Sequence, residues 1–190
     1  MIAPPDTGHA PAGGSLARAF VARVERAVDL TGRAAHWLSL AIVVLMADGV
    51  LLRYAFSVGS VWAQELEWHL LAPLVLFGMT YALLKGDHVR VDIFYARYTP
   101  RAQAGVDLLA AVLAAAMAVL VIRYSIQFVS QSYSINEISA DPGGLTHRWM
   151  LKALIPIGFA VFALQAAAQG VGAALRLTAA TAPDDDEVVS

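Results

Sequence analysis

Four stretches of the chain are nearly free of charge, and each is long enough to cross a bilayer, which takes about 20 apolar residues. The first runs from Ala34 to Leu52, with Asp48 as its only charge. The second, Leu66 to Leu84, carries Glu67 and His69 in its first turn. The third, Gln103 to Gln131, has Asp107 near its start and Arg123 inside it. The fourth, Trp149 to Leu175, holds Lys152 near its start and Pro156 one turn later. In lipid an open strand would leave backbone N–H and C=O groups unsatisfied, so each stretch predicts a helix. The expected fold class is all-α: an integral membrane protein with four transmembrane helices plus short interfacial amphipathic helices.

Polar positions punctuate these runs. Ser60 is placed to cap the second helix, and Thr99-Pro100 reads as an N-cap followed by proline at the first helical position. Gly86 sits where a C′ residue would end the second span. Asp141-Pro142-Gly143-Gly144 predicts a tight turn before the fourth span, while Pro156 predicts a tolerated kink within it. Leu16, Phe20, Val24 and Val28 recur every four residues, with Arg18, Glu25 and Arg26 between them. That pattern predicts a surface-lying helix leading into the first span. Val91, Phe94, Tyr95 and Tyr98 predict a second interfacial helix, with Arg90, Arg97 and Arg101 on another face. Residues 1–15 form a Pro-, Gly- and Ala-rich tail without the basic start and apolar core of a secretory signal. Residues 16–176 form one four-span domain, and 177–190 an acidic tail carrying Asp184, Asp185, Asp186 and Glu187.

Composition sharpens this picture. The chain has 190 residues, 58% hydrophobic and 15% charged, against about 45–50% and about 25% in a soluble domain. The absence of cysteine removes disulfides, thiolate metal ligands and cysteine nucleophiles. A net charge of −2, with basic residues scattered along the chain, argues against nucleic acid as a partner. Of the 13 Lys and Arg residues, nine lie before the first span, between spans two and three, or after span four. Basic loops stay cytoplasmic, which predicts both termini and the Lys85–Arg101 connection inside.

The ionisable groups within the spans point to little chemistry. Arg123 costs about 2.5–3.5 kcal/mol if it sits deep, so it either snorkels toward Ser125, Gln127 and Ser130 or pairs with Asp48. Glu65 and Glu67 lie two residues apart, point about 200° away from one another, and cannot form one catalytic dyad. Both are stabilised where they stand by the positive end of their helix. His69 and His147 would have to bridge a haem from nearly outside the apolar layer, a poor site for axial ligands. No phosphate loop, nucleophile elbow or HExxH helix is present, so neither an enzyme nor a cofactor is expected. Ala110, Ala114 and Ala118, with Ala111 and Ala115 beside them, offer a small-residue ridge on span three, and Ala166, Gly170 and Ala174 one on span four, for close helix packing.

Trp62-Ala63-Gln64-Glu65-Leu66, followed one span later by Gly86-Asp87-His88-Val89-Arg90-Val91-Asp92, resembles the small membrane subunit (DctQ-type) of tripartite ATP-independent periplasmic (TRAP) transporters. Gln64 stands where that family often has a glutamate and Trp68 where an arginine is common. A subgroup with these departures also carries runs like Ser139-Ala140-Asp141-Pro142-Gly143-Gly144 and Lys152-Ala153-Leu154-Ile155-Pro156. The resemblance implies a sodium-coupled uptake system for an organic acid in the bacterial inner membrane. In it, a soluble periplasmic protein captures substrate and a large multi-span permease subunit moves it. The small subunit, in contact with membrane lipid, braces the large one and helps receive the binding protein. Trp62, Glu65, Gly86, His88, Arg90, Asp92 and Arg123 are the candidate interface or motif residues, with His88, Arg90 and Asp92 expected to hold the cytoplasmic edge in place. The other readings are a membrane anchor of a redox complex and a stand-alone four-helix carrier or channel.

Overall fold

The computed structural model describes residues 12–86, 95 and 97–179. Four helices account for nearly all of them: α1 (Ala12–Phe56), α2 (Val61–Lys85), α3 (Pro100–Ser134) and α4 (Trp149–Ala179). All four are long and apolar enough to cross a membrane, and the chain is a multi-pass membrane protein. Their outward faces carry large apolar side chains such as Val43, Leu51, Leu113 and Met117, each at least 60% exposed. Water would not tolerate such surfaces over four helices; lipid or another apolar helix does.

The local signals at the helix ends are realised. Ser60 caps α2 by accepting from the Ala63 N–H, and Thr99 caps α3 by accepting from the Ala102 N–H, with Pro100 at the first helical position. Gly86 closes α2 in the left-handed conformation (φ 73°), its N–H turned back to the carbonyls of Ala82 and Leu83. Pro156 stands inside α4 and Pro73 inside α2 without ending either.

The amphipathic segment before the first span takes a different form from the one expected. Residues 16–28 are helical, but they run without a break into the span, so α1 is a single rod of 45 residues, about 68 Å long. Nothing between Leu16 and Ala34 breaks a helix: there is no proline, and Asp29 pairs with Arg33 one turn on at 2.6 Å. Tertiary contacts also claim this stretch. Val28 is 1% exposed, and Gly32 lies so close to the Tyr81 ring that a Cβ there would meet it at 2.1 Å. The second interfacial helix falls largely outside the described residues.

Packing is uneven. α1, α2 and α4 pack against one another, while α3 rests on α4. The α3 seam is Ala104, Ala111, Ala118, Ser125 and Ser132, all buried at seven-residue spacing. Of the expected four-residue line only Ala118 lies in this seam, together with Ala111 from beside it, and Ala110 is exposed. A seven-residue repeat keeps one stripe facing a neighbour along a long helix, which a four-residue line does not. Across the seam, Gly170 admits Ala111 so closely that its own Cβ would sit 3.4 Å away. Gly158 performs the same service for Leu76 on α2.

Most of the ion pairs among the described residues lie at one end of the bundle, the basic end. Lys85 bridges to Asp29 at 3.1 Å, tying α2 to α1, and Arg176 bridges to Asp107 at 3.0 Å, tying α4 to α3. Tyr95, just before α3, donates its hydroxyl to the same Asp107 carboxylate. The opposite end holds the α1–α2 turn and the loop between α3 and α4.

Candidate functional site

The 14 residues from Ile135 to Arg148 join α3 to α4 without regular structure, yet their backbone is closely held. The Glu137 N–H donates to the Ser132 carbonyl at 3.1 Å, and the Glu137 carbonyl accepts from the Arg148 N–H at 3.2 Å. Inside that ring the Ser139 N–H donates to the Leu145 carbonyl at 3.2 Å. The Gly144 N–H closes the predicted Asp-Pro-Gly-Gly turn on the Asp141 carbonyl at 3.0 Å. Gly143 has φ +82°, which a side chain would strain. Asn136 and His147 bracket the loop with φ of 47° and 61°.

Two carboxylates pin the loop to the helices. The Glu137 side chain pairs with the Lys152 ammonium on α4. Lys152 therefore holds the Glu137 carboxyl below its usual range, outweighing partial burial, with the Arg148 charge adding to the effect. Lys152 also stands 4.0 Å above the Phe128 ring, so α3, α4 and the loop share one cation.

The second carboxylate is Glu65, one turn into α2 and only 7% exposed. One of its oxygens accepts from the Ser139 hydroxyl and the other from the Leu145 N–H. Gly144 makes this approach possible: a Cβ there would lie 2.5 Å from the Ser139 Cβ and 2.8 Å from the Glu65 carboxylate. The loop is thus clasped from its side by a helix 74 residues earlier in the chain. The sequence reading of Glu65 as a charge stabilised only by its helix terminus is incomplete, because a carboxylate confined to that role would face solvent. Glu67, two residues on, lies instead near Gly49 of α1. The two glutamates do part, and only Glu65 reaches the loop.

Around the clasp the surface is exposed and mixed. Ile135 and Ile138 are 65% and 61% exposed, and Trp62, in the first turn of α2, is 49% exposed. Tyr133 meets Trp149 edge-to-face with ring centroids 5.3 Å apart, joining the two helices beneath the loop. The other candidate residues lie apart from the clasp. Gly86 is at the basic end, and His88, Arg90 and Asp92 fall outside the described residues. Arg123 is exposed on α3 and makes no ion pair with Asp48, because α1 and α3 do not form a packed pair.

One polar residue in the interior escaped the sequence reading. Gln165, in the middle of α4, is 0% exposed, and among the described residues neither end of its amide has a hydrogen-bond partner. The available signal was a pair of glutamines, Gln165 and Gln169, in an otherwise apolar and alanine-rich run; Gln169 donates to the Leu83 carbonyl, while Gln165 has no such partner. No group of three or more His, Asp or Glu side chains gathers as a metal site among the described residues.

Comparison with known families agrees with the architecture. A family model described as tripartite ATP-independent periplasmic transporters, DctQ component, matches residues 40–176. No curated protein matches the chain. The matched region takes in the membrane part of α1, all of α2 and α3, the clasped loop, and α4 as far as Arg176. With well over half its length matched, the chain belongs to the DctQ family, the small permease subunits of TRAP transporters.

Proposed function

We propose that this subunit serves a sodium-coupled TRAP uptake system for an organic acid in the bacterial inner membrane. In this reading it braces the large permease subunit and offers its clasped loop to a periplasmic substrate-binding protein. Both termini and the Lys85–Arg101 connection lie in the cytoplasm, which places the Ile135–Arg148 loop on the periplasmic side. The basic-residue asymmetry supports this orientation.

The observation that carries the docking role is the Glu65 clasp. A connecting loop held by Glu65, Glu137 and its own backbone bonds is a preorganised surface, and preorganisation lowers the cost of association. Exposed Ile135, Ile138 and Trp62 beside it supply apolar contact area. The bundle itself supports a bracing role rather than a carrier role. Between the two ends its buried polar side chains are Thr80, Ser125 and Gln165 among the described residues, which is too little to line a path for a carboxylate. Within the motif after α2, His88, Arg90 and Asp92 are assigned to the cytoplasmic edge of contact with the large subunit.

The test exploits the absence of cysteine in the chain. Cysteines at Ile138 and at Lys85, carrying a photo-crosslinker, are compared in the assembled complex. Crosslinking of the binding protein from Ile138 and not from Lys85 is the expected result. Crosslinking from neither position, with the binding protein active in uptake, would remove the docking role.

A further inference from the structure

Arg123 has no ionic or hydrogen-bond partner within the described residues, and the direction it faces is informative. The seam of α3 against α4 includes Ala118 and Ser125, both buried. At about 100° per residue, Arg123 lies about 140° from Ala118 and about 160° from Ser125, on the far side of the helix. Gln127 and Ser130 follow at i+4 and i+7 on that same outward face, and all three are exposed. Val112, Ala116 and Val119 continue the face toward the basic end as apolar, exposed positions. A polar stripe therefore runs down the side of a spanning helix that none of the described residues covers.

Depth decides what can meet it. Gly170 touches Ala111 across the α3–α4 seam, and twelve residues back along antiparallel α4 and forward along α3 lead to Gly158 and Arg123. The Lys152–Phe128 contact gives the same register. Gly158 in turn packs on Leu76 of α2, so Arg123 is level with Leu76. Leu76 lies nine residues from Lys85 and eleven from Glu65, about 14 and 16 Å along the helix. The hydrocarbon layer is about 30 Å thick. Arg123 is thus near its middle, too far from either headgroup layer for its side chain to reach a lipid phosphate.

We propose that Arg123, with Gln127 and Ser130, is the intramembrane contact by which α3 docks on the large permease subunit, pairing there with a carboxylate carried by a spanning helix of that subunit. The assignment rests on the TRAP reading above and names the surface it uses. Charge complementarity selects the occupant. A guanidinium at mid-bilayer, unpaired among the described residues, requires an anion at the same depth, and another protein supplies one. Intramembrane hydrogen bonds from Gln127 and Ser130 add orientation to the contact.

The test uses this subunit, affinity-tagged and co-expressed with its natural large partner. Recovery of the large subunit is measured for the wild type, Arg123→Leu and Arg123→Lys. The expected loss in Arg123→Leu is at least about tenfold in recovery, equivalent to about 1.4 kcal/mol, with Arg123→Lys retaining more than Arg123→Leu. The separately purified Arg123→Leu subunit should melt no lower than the wild type, because it loses no partner among the described residues. Undiminished recovery in Arg123→Leu would overturn the assignment and leave the TRAP reading standing, whereas no recovery by the wild type would overturn the reading itself. A lowered melting temperature in the lone Arg123→Leu subunit, or intact assembly with a bound phospholipid lost in native mass spectrometry, would assign the residue to the fold or to lipid and refute the contact.

Discussion

Replacing Gly144 with alanine tests the clasp at its tightest point. The new Cβ would stand 2.5 Å from the Ser139 Cβ and Oγ and 2.8 Å from the Glu65 carboxylate. Comfortable carbon–carbon separation is about 3.5–4.0 Å, so the overlap is about 1 Å against the two groups that form the clasp. Gly144 is not in the left-handed region, unlike Gly143 at φ +82°, so the perturbation is one of space and not of backbone strain. Overpacking of this kind costs about 1–3 kcal/mol. That cost falls on the closed loop and not on the open one, so the open fraction rises by about 5–150-fold. The Leu145 amide reports it directly, because its N–H donates to Glu65. Its hydrogen exchange in the purified subunit should accelerate by that factor. Gly59→Ala, where a Cβ meets nothing within 4 Å, is the control. In a Glu65→Ala background the Gly144→Ala effect should shrink, since the carboxylate it collides with is gone. Unchanged Leu145 exchange in Gly144→Ala would refute the clasp as drawn.

Three further outcomes follow from the same geometry. Gln165→Leu should raise the melting temperature of the purified subunit, because leaving a buried polar group unpaired costs about 1–3 kcal/mol; a fall in melting temperature would show that the amide has a partner. Gly32→Ala should lower it, by an overpacking cost of about 1–3 kcal/mol, since the Cβ would strike the Tyr81 ring at 2.1 Å. Lys152 holds the Glu137 carboxyl below the ordinary glutamate range, so the stability it contributes is present above that range and is lost as pH falls through the lower folded value. The stability difference between wild type and Glu137→Gln should therefore be constant near neutrality and close below about pH 4.5, as thermal melting at stepped pH will show.

What could be read from the chain alone divides by the range of the interactions. The caps at Ser60 and Thr99-Pro100 and the stop at Gly86 were legible because each is set by the chemistry of two to four neighbouring residues. The four spans were legible because lipid imposes a length and a composition on each. The Glu65 clasp was not, since its partners Ser139 and Leu145 lie 74 and 80 residues away. Nothing near Glu65 distinguishes a clasping carboxylate from one stabilised at a helix terminus. Gly144 hinted at a turn, yet its role is to admit Glu65, which turn chemistry does not reveal. The continuity of α1 is a different case. The amphipathic pattern from Leu16 to Val28 was real, but it could not say whether the helix lies on a membrane surface or packs on α2, and Gly32 against Tyr81 decides that. The α3 seam shows the same limit, because a run of alanines offers several small-residue lines and only the neighbouring helix selects the seven-residue one. Arg123 drew attention by its charge, but pairing with Asp48, one of its two readings, failed because it depended on which helices are neighbours.

The central claim, a supporting subunit in a three-part uptake system, is tested most directly by reconstitution. Proteoliposomes are prepared with the large permease subunit and this chain, together or singly, and organic-acid uptake is measured with binding protein outside and an inward sodium gradient. The account predicts uptake only when both membrane subunits and the binding protein are present, and none from this chain alone. Undiminished uptake without this chain, or uptake by liposomes that contain it as the sole membrane protein, would contradict it.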